Sequence, residues 1–557
     1  MAFPWKIFSV ASLIYAYFIV STRPQWTKSE LLGAFVAMWS LQSFLYGFWK
    51  MFLYPYFFSP LIGLPQPKRG SWFMGNFWTI RDKPTGIPQR EWNSTIPNDG
   101  VIRYLGPFNQ ERLLITGPKA LAEVLVTRNY DFIKPSSVHF FLSRLLGVGV
   151  LLAEGDDHKF QRKNLMPAFA FRHVKELYSG FWEKGTEVVQ AMTKAIIADA
   201  QKEKSGEDPE KARKTAILDV PSWASRATLD IVGKSGLGQD FGAIKNPNNE
   251  LSQTYKRVFS PSSRAQGLQL LGLFLPDWVV SRLPVQRNTD IAEAAQTIRG
   301  VCRKVIQAKK EKMDRKEPID RDILSVALES GAFTEENLID QLMTFLAAGH
   351  ETTATAMTWA VYMLAKNPEM QKRLRAEIRE KLPSLDSDRD ISSTDIDHMP
   401  YLNAVCNEIL RYYAPVPLTP REAAVDTTVM GYKVPKGTAI MLVPWATNFD
   451  KTLWGPDAHE FNPDRWIAKG PEDRKAASGG ASSNYAFMTF LHGPRSCIGL
   501  AFARAEFACL LATWMGRFEF ELANEKDYDE RNMMIKGGVT ARPANGLQVH
   551  ATIVDGW

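Results

Sequence analysis

The segment Phe490-Leu-His-Gly493-Pro-Arg495-Ser-Cys497-Ile-Gly499 is the most informative part of this 557-residue chain. It places a cysteine between two glycines, with an arginine two positions before it. The residues that follow, LAFARAEFACLLATWMGRF, are strong helix formers. We therefore expect Cys497 in a turn just before a helix, where the positive end of the helix dipole favours a thiolate. The alternative for any single cysteine is a buried structural thiol.

These neighbours suit a thiolate that binds a haem iron, a ligand that favours cleavage of the O–O bond. Gly493 and Gly499 allow the backbone to approach a flat macrocycle and to adopt φ values closed to other residues. Arg495 is placed to pair with a haem propionate, a planar carboxylate that matches a guanidinium. Phe490 is expected to shield the sulfur from water. The segment therefore predicts an axial haem ligand at Cys497.

A second segment, residues 342–360, is apolar nearly all round and is therefore predicted to be a buried helix. Inside it lie Gly349, Glu351 and Thr352. A threonine side chain can bond back to a carbonyl and bend a helix, and an acid in such a place is costly unless it is used. The alternative is a polar kink in a core helix.

The third segment is Glu408-Ile-Leu-Arg411, whose spacing puts both charges on one face of a helix. Apolar residues flank the pair, so a buried ion pair is plausible, and breaking one costs roughly 3–5 kcal/mol. On its own this pattern is more often a surface pair.

Taken together, the three segments resemble the cytochrome P-450 family, from about residue 64 to the end of the chain. The resemblance implies a mainly α fold with a small β-rich lobe, preceded by an N-terminal membrane anchor. It implies haem b as cofactor, with Cys497 as the iron ligand. It also implies that Ala348 and Gly349 make room for O2, and that Thr352 and Glu351 deliver protons.

The resemblance further implies a structural triad, Glu408–Arg411–Arg465, that stabilises the haem pocket without a chemical step. Arg465 lies in Phe461-Asn-Pro-Asp-Arg465-Trp, where Asp464 and Trp466 replace the more common Glu and Phe of the family.

Three further residues match positions that bind the haem propionates in the family. Arg162 and His158 lie in Gly155-Asp-Asp-His158-Lys-Phe-Gln-Arg162, where the family usually has tryptophan in place of the histidine. Arg421 precedes a predicted strand.

Composition is consistent with one large catalytic domain. Hydrophobic residues make up 45%, the net charge is +7, and basic residues are scattered, with no nucleic-acid module. The four cysteines form no C-x-x-C pair, which argues against a disulfide framework or a zinc site. Short strands are predicted at 101–106 and 111–117, a charged loop at 201–215, and a β-hairpin within residues 537–553.

The N-terminal region contains two apolar runs, residues 3–20 and 31–49. Residues 1–58 are predicted to be a membrane anchor with one or two spans, 59–70 a proline-rich hinge, and 71–557 the haem-thiolate domain. A signal peptide and two buried core helices are the alternatives. The resemblance implies the endoplasmic reticulum with the catalytic domain in the cytosol, where the sequon at Asn93 stays unmodified.

We expect a monooxygenase that inserts one oxygen atom of O2 into a lipophilic substrate. The chain lacks a flavin or dinucleotide motif, so electrons are expected from NADPH through a separate NADPH-cytochrome P-450 reductase, with cytochrome b5 as a further candidate donor. The pattern is most similar to fungal members, which favours tailoring of a secondary metabolite. Fatty-acid or xenobiotic hydroxylation, a haem-thiolate isomerase or dehydratase, and a non-catalytic haem sensor are the alternatives.

Overall fold

The computed structural model describes residues 5–22, 25, 27–200, 214–259, 267–268, 271–272, 275–318, 322–387, 389–470 and 473–557. Over this part of the chain the α-helices, in order, are α1 Trp5–Ser21, α2 Lys28–Phe48, α3 Phe77–Arg81, α4 Ile87–Thr95, α5 Pro118–Ala122, α6 Ser136–Leu146, α7 Gly155–Leu165, α8 Phe171–Val174, α9 Tyr178–Ala200, α10 Val220–Ile231, α11 Glu250–Phe259, α12 Asp277–Arg282, α13 Gln286–Asp314, α14 Ile323–Glu329, α15 Glu335–Lys366, α16 Pro368–Lys381, α17 Ser393–Asp397, α18 Pro400–Tyr412, α19 Pro444–Thr447, α20 Lys451–Trp454 and α21 Leu500–Arg517.

The strands are β1 Val101–Leu105, β2 Glu111–Ile115, β3 Phe132–Ile133, β4 Thr215–Asp219, β5 Thr419–Ala423, β6 Thr427–Val429, β7 Tyr432–Val434, β8 Ala439–Leu442, β9 Phe518–Leu522, β10 Ile535–Gly537, β11 Ala541–Pro543 and β12 Gln548–Ile553. Helices dominate, so the predicted class of a mainly α protein with small sheets is confirmed.

The chain divides into two compact units. The first comprises Met1–Lys83, Trp92–Ile133 and Pro420–Leu442; the second comprises Pro84–Glu91, Lys134–Thr419 and Val443–Trp557. The first unit is discontinuous because strands distant along the chain pair in one sheet. The linear division expected from the sequence stays a prediction.

The first unit contains a five-stranded sheet in the order β1-β2-β8-β5-β3. The predicted strands at 101–106 and 111–117 form its antiparallel β1–β2 pair. The proline-rich segment packs against this sheet, since the backbone N–H of Arg103 donates to the carbonyl of Pro65 at 2.8 Å. The Arg103 guanidinium also donates to Gln66 at 2.9 Å. Residues 59–70, predicted as a hinge, are thus tied to β1.

Also in the first unit, α2 continues without interruption through a π-helical turn, Trp49–Phe58. The resulting helix, Lys28–Phe58, is 31 residues long, and it is long and apolar enough to cross a membrane. Thr27 begins α2 with a capping box, in which its side chain accepts from the Glu30 N–H and Glu30 bonds back to Thr27.

The second unit is built around α15, a helix of 32 residues that is buried over most of its length. It packs against α10, α13 and α21. At the C-terminal end the predicted hairpin forms only in part. β10 and β11 pair with each other, whereas β12 pairs with β4 and β9 in a three-stranded sheet. Residues 201–213 of the predicted charged loop lie outside the described residues.

Candidate active site

The cysteine segment forms a tight turn immediately before α21, as the sequence predicts. The backbone N–H of Cys497 donates to the carbonyl of Phe490 at 2.9 Å, which closes the turn. Gly493 has a φ of 75°, in the left-handed region that favours glycine. Gly499 has a φ of −87° at the start of α21, so the positive φ expected there is wrong. A Cβ at Gly499 would meet its nearest neighbour, Phe169, at 3.8 Å, an ordinary contact.

The thiol of Cys497 is exposed, while Cys302, Cys406 and Cys509 are buried. Desolvation by the surrounding protein raises the pKa of the Cys497 thiol. A backbone hydrogen bond from Gly499 and the charge of Arg162 act in the opposite direction. The sequence thus places one cysteine where its sulfur can be reached and where a donor and a cation favour the thiolate.

Two arginines, Arg162 and Arg495, lie at the Cys497 turn. Arg162 donates to the carbonyl of Ser496 at 2.7 Å and to its hydroxyl at 3.3 Å. Arg495 is nearly buried and forms an ion pair with Glu154, whose other oxygen accepts from the backbone N–H of Lys134 at 2.9 Å. The two predicted propionate ligands Arg162 and Arg495 are therefore both anchored at the cysteine turn.

His158 is buried between these groups. Desolvation, followed by the charges of Arg495, Arg162 and Lys134, lowers the pKa of the His158 imidazole to about 4. The imidazole is therefore neutral at physiological pH, and its surroundings carry an excess of positive charge. Such a cluster suits a ligand that carries carboxylates.

Arg421 belongs to β5, in the first unit. Its side chain is buried and donates to the carbonyl of Pro420 at 2.8 Å. Its predicted contact with a propionate stays a prediction.

On α15, the middle of an otherwise buried helix carries an exposed Ala348 and a half-buried Thr352. The Thr352 hydroxyl donates to the carbonyl of Ala348 at 2.8 Å, the back-bond expected from the sequence. Gly349, next to Ala348, is half-buried like Thr352. A Cβ at Gly349 would stand 2.8 Å from Cγ2 of Val232, so the glycine permits close packing against the π turn Val232–Gly236. Its expected role of making room for O2 stays a prediction.

Glu351 is buried and points to partners that the sequence did not indicate. One of its oxygens accepts from Arg542 at 2.9 Å and from the Thr540 hydroxyl at 3.0 Å. Arg542 also donates to the carbonyl of Phe259 at 2.9 Å. The local sequence does not indicate that Thr540 and Arg542 contact Glu351, because these residues meet only in the folded chain.

The third segment forms a buried network around Glu408. Arg411 donates to both carboxylate oxygens, at 2.8 and 2.7 Å, and Arg465 donates to one of them at 3.1 Å. Trp466 adds its indole N–H at 2.9 Å, a contact that phenylalanine would lack. The Arg411 guanidinium also donates to three main-chain carbonyls, of Asn448, Ala458 and Glu460. The surface-pair alternative is thereby excluded.

A buried acid that the sequence analysis missed is Glu506 on α21. It is completely buried, and desolvation raises the pKa of the Glu506 carboxyl well above its usual value, while the Thr353 side chain opposes this shift. A single acid within the apolar stretch LAFARAEFACLL was the signal that could have revealed it.

These residues fit a haem group. The exposed Cys497 thiol supplies the one soft ligand that haem iron takes from such a site. The cluster of Arg162, Arg495 and the neutral His158 matches carboxylate groups, and the exposed Ala348 with Thr352 offers a polar but uncharged surface on another helix.

Comparisons with known proteins agree with this reading. The model of the cytochrome P450 family matches residues 65–549. The chain is 47% identical, over 91% of both chains, to cytochrome P450 monooxygenase sphH of Aspergillus fumigatus. It is 46% identical to cytochrome P450 monooxygenase FUM15 of Gibberella moniliformis over 90% of both chains. It is 44% identical to cytochrome P450 monooxygenase ALT8 of Alternaria alternata, over 91% of this chain and 92% of the relative.

The resemblance seen in the sequence is therefore confirmed: this chain belongs to the cytochrome P450 family, as one of its monooxygenases, haem-containing oxidoreductases that incorporate oxygen from O2.

Proposed function

We propose that the chain oxidises a lipophilic small molecule in fungal secondary metabolism, with Cys497 as the axial ligand of haem b. The observation that carries this proposal is the exposed Cys497 thiol, held in a turn with the Gly499 N–H and the Arg162 charge beside it. The bound haem would supply the activation of O2. Phe490 and Gly493 hold the turn that presents the sulfur.

On the propionate side, Arg162 and Arg495 would pair with the haem carboxylates, and the neutral His158 would donate one hydrogen bond. Arg421 would supply a further cation. Because the Arg162 guanidinium already bonds the carbonyl and hydroxyl of Ser496, it would couple the position of the carboxylates to that of the cysteine turn.

On the oxygen side, the Thr352 hydroxyl would supply a proton at its Oγ1 when it turns away from the Ala348 carbonyl. Glu351 would replenish that proton after its carboxylate has taken one up from solvent. Because its carboxylate is held by Arg542 and Thr540, this role requires the Glu351 side chain to change partners during turnover. Ala348 leaves space beside Thr352.

The triad Glu408–Arg411–Arg465 would keep the fold behind the site in place. Its charges are paired with one another and with main-chain groups, so it has no proton to give to the reaction.

Electrons would come from NADPH through a separate NADPH-cytochrome P-450 reductase, with cytochrome b5 as a further candidate donor. The helix Lys28–Phe58 would hold the protein in the endoplasmic reticulum membrane, with the catalytic part in the cytosol. The fungal sources of the relatives support a tailoring step in secondary metabolism.

The test begins with a comparison of metabolites from a strain with and without the gene, which identifies the substrate. A fatty acid or xenobiotic as the accumulating compound would contradict the tailoring role. With that substrate, the oxygen-side roles are tested by Thr352→Ala, which is expected to keep haem but to yield less product per NADPH consumed.

The matched control is Thr355→Ala, because Thr355 makes the same back-bond, to the carbonyl of Glu351 at 2.8 Å, but is buried in the helix. The control should keep the product yield of the wild type. An equal yield from Thr352→Ala and the wild type would refute the role of Thr352.

A further inference from the structure

The first two helices pack against each other as an antiparallel pair. Phe8, near the start of α1, contacts Tyr46, near the end of α2, with ring centroids 5.6 Å apart and the rings nearly perpendicular. The two helices share contacts along their length. The start of α1 therefore lies at the same end of the pair as the end of α2.

In this pair of helices small residues are buried and large apolar residues are exposed, which is the opposite of the arrangement in a water-soluble protein. The buried residues of α1 are Ser12, Ala16 and Val20, spaced four apart on one face. The large apolar side chains point outward, with exposures of 70% at Ile7 and 69% at Phe18. Small residues in the interface and large apolar residues outside are typical of helices that pack within a bilayer.

The outward surface of α1 also lacks a polar face. Apart from Lys6 and Ser21 at its two ends, the exposed side chains of α1 are apolar or aromatic: Trp5, Ile7, Val10, Leu13, Ile14, Tyr15, Tyr17, Phe18 and Ile19. A helix that lies flat in the headgroup layer needs a charged or polar face toward water. This distribution favours a helix that is in contact with hydrocarbon wherever α2 does not cover it.

Aromatic and charged residues, which are common at membrane interfaces, stand at the ends of the helix pair. Trp5 and Lys6 stand at the start of α1, with the Lys6 ammonium 5.5 Å from the Trp5 ring. Trp49 and Lys50 follow α2 at the same end. Aromatic and cationic residues at one level are typical of a membrane interface. At the other end, α2 begins with the capping box of Thr27 and Glu30 and with Lys28.

The end of the pair that carries Lys50 is bonded to the sheet of the first unit. Asn109, in the turn between β1 and β2, donates to the carbonyl of Met51 at 3.0 Å. Arg103 of β1 donates to the carbonyl of Pro55. The bond to Pro55 supplies a donor to one of the last carbonyls of the helix, which the helix end leaves open, and both bonds fix this end on the side of the membrane that holds the sheet.

We propose that α1 and α2 form a two-span membrane hairpin, which places the N-terminal end of α1 on the same side of the membrane as the residues that follow α2. With 17 residues, α1 is about 25 Å long, within the range of a short span and close to the thickness of a thin bilayer. The hairpin concerns the anchor alone and is independent of the proposed reaction.

The experiment uses the full chain in eukaryotic microsomes, with an added glycosylation acceptor either before Trp5 or in an insert at the turn after Thr22. The native sequon at Asn93 reports the side of the catalytic part, with Asn93→Gln as the control for its own modification. We expect glycosylation of the turn acceptor alone, because only the turn would reach the lumen.

Two results would overturn the hairpin. Modification of both added acceptors would mean that α1 lies in the lumen and that only α2 spans. Modification of neither would mean that the turn does not cross. By contrast, modification of Asn93 and of the acceptor before Trp5, but not of the turn, would keep the hairpin and would refute the proposed cytosolic orientation.

The packing itself is tested by a cysteine pair in the same membranes. Phe8→Cys combined with Tyr46→Cys should crosslink with a short thiol reagent, since the two rings touch. Ile7→Cys combined with Tyr46→Cys is the matched control, because Ile7 faces away from α2 and should not crosslink. Equal crosslinking of both pairs, or of neither, would contradict the packed hairpin.

Discussion

Replacing Arg542 with methionine removes a charged partner from a buried acid on the central helix, while the methionine keeps most of the apolar stem. The change deletes the 2.9 Å bond to Glu351 and the 2.9 Å bond to the Phe259 carbonyl. The Thr540 hydroxyl, at 3.0 Å, remains on the acid but carries no charge. We expect a less stable protein whose Glu351 has lost its fixed position.

The magnitude follows from the burial of the pair. Breaking a fully buried ion pair costs roughly 3–5 kcal/mol. The Arg542 side chain is 23% exposed and that of Glu351 is 8% exposed. Since water partly reaches the Arg542 side of the pair, we expect the free energy of unfolding to fall by about 2–3 kcal/mol. For a cooperative unit of several hundred residues this lowers the apparent Tm by about 2–5 °C.

The assay is thermal unfolding of the haem-loaded protein at one scan rate, since proteins of this size often unfold irreversibly. Arg542→Lys is the matched control, because it keeps the charge and should recover part of the loss. Arg542→Met is also measured in a Glu351→Gln background, which forms a double-mutant cycle. In the Glu351→Gln background Arg542→Met should lower the apparent Tm by less, because no buried charge is left unpaired.

One outcome refutes the reasoning. If Arg542→Met lowers the apparent Tm as much in the Glu351→Gln background as in the wild type, the two side chains are not coupled, and the ion pair does not stabilise the fold.

Three further predictions concern buried contacts. Gly349→Ala places a methyl 2.8 Å from Val232 and should destabilise by about 1–3 kcal/mol in thermal unfolding, a loss that Val232→Ala in combination should relieve. Trp466→Phe removes a 2.9 Å bond to the buried Glu408 and should cost about 1.5–3 kcal/mol; an unchanged Tm would mean that the bond contributes nothing. Burial raises the pKa of Glu506, so the folded protein keeps a proton that the unfolded chain releases, and its stability falls as pH rises above about 4.5. Glu506→Gln should abolish this dependence of stability on pH. The Tm of the variant minus that of the wild type should therefore increase from pH 6 to pH 8, and a constant difference would contradict the role of Glu506.

The parts of the site that the sequence predicted are those with short-range signals. The turn at Cys497 follows from glycines and a helix start a few residues apart, and the Glu408–Arg411 pair follows from one turn of helix. The back-bond of Thr352 is equally local. In each case the interacting groups are close along the chain, so spacing alone carries the information.

What the sequence could not reveal depends on pairing across long distances. The partners of Glu351 come from a hairpin almost two hundred residues away, and Gly349 proved to face Val232 from another helix. The strand β12 pairs with β4 and β9 in a three-stranded sheet rather than within the expected hairpin. The prolines of the segment 59–70 predict a hinge, and that prediction stays open; the bonds from Arg103 to Pro65 and Gln66 could not be read from the sequence, because they join residues almost forty positions apart.

The central claim is that the Cys497 thiolate binds haem iron. The most direct measurement is the absorption spectrum of the reduced, carbon monoxide-treated protein for wild type and Cys497→Ala, with Cys406→Ala as the control at a buried cysteine. The wild type and the control should show the spectrum of a thiolate-ligated haem, and Cys497→Ala should lose it. The same thiolate spectrum in Cys497→Ala as in the wild type would contradict the account.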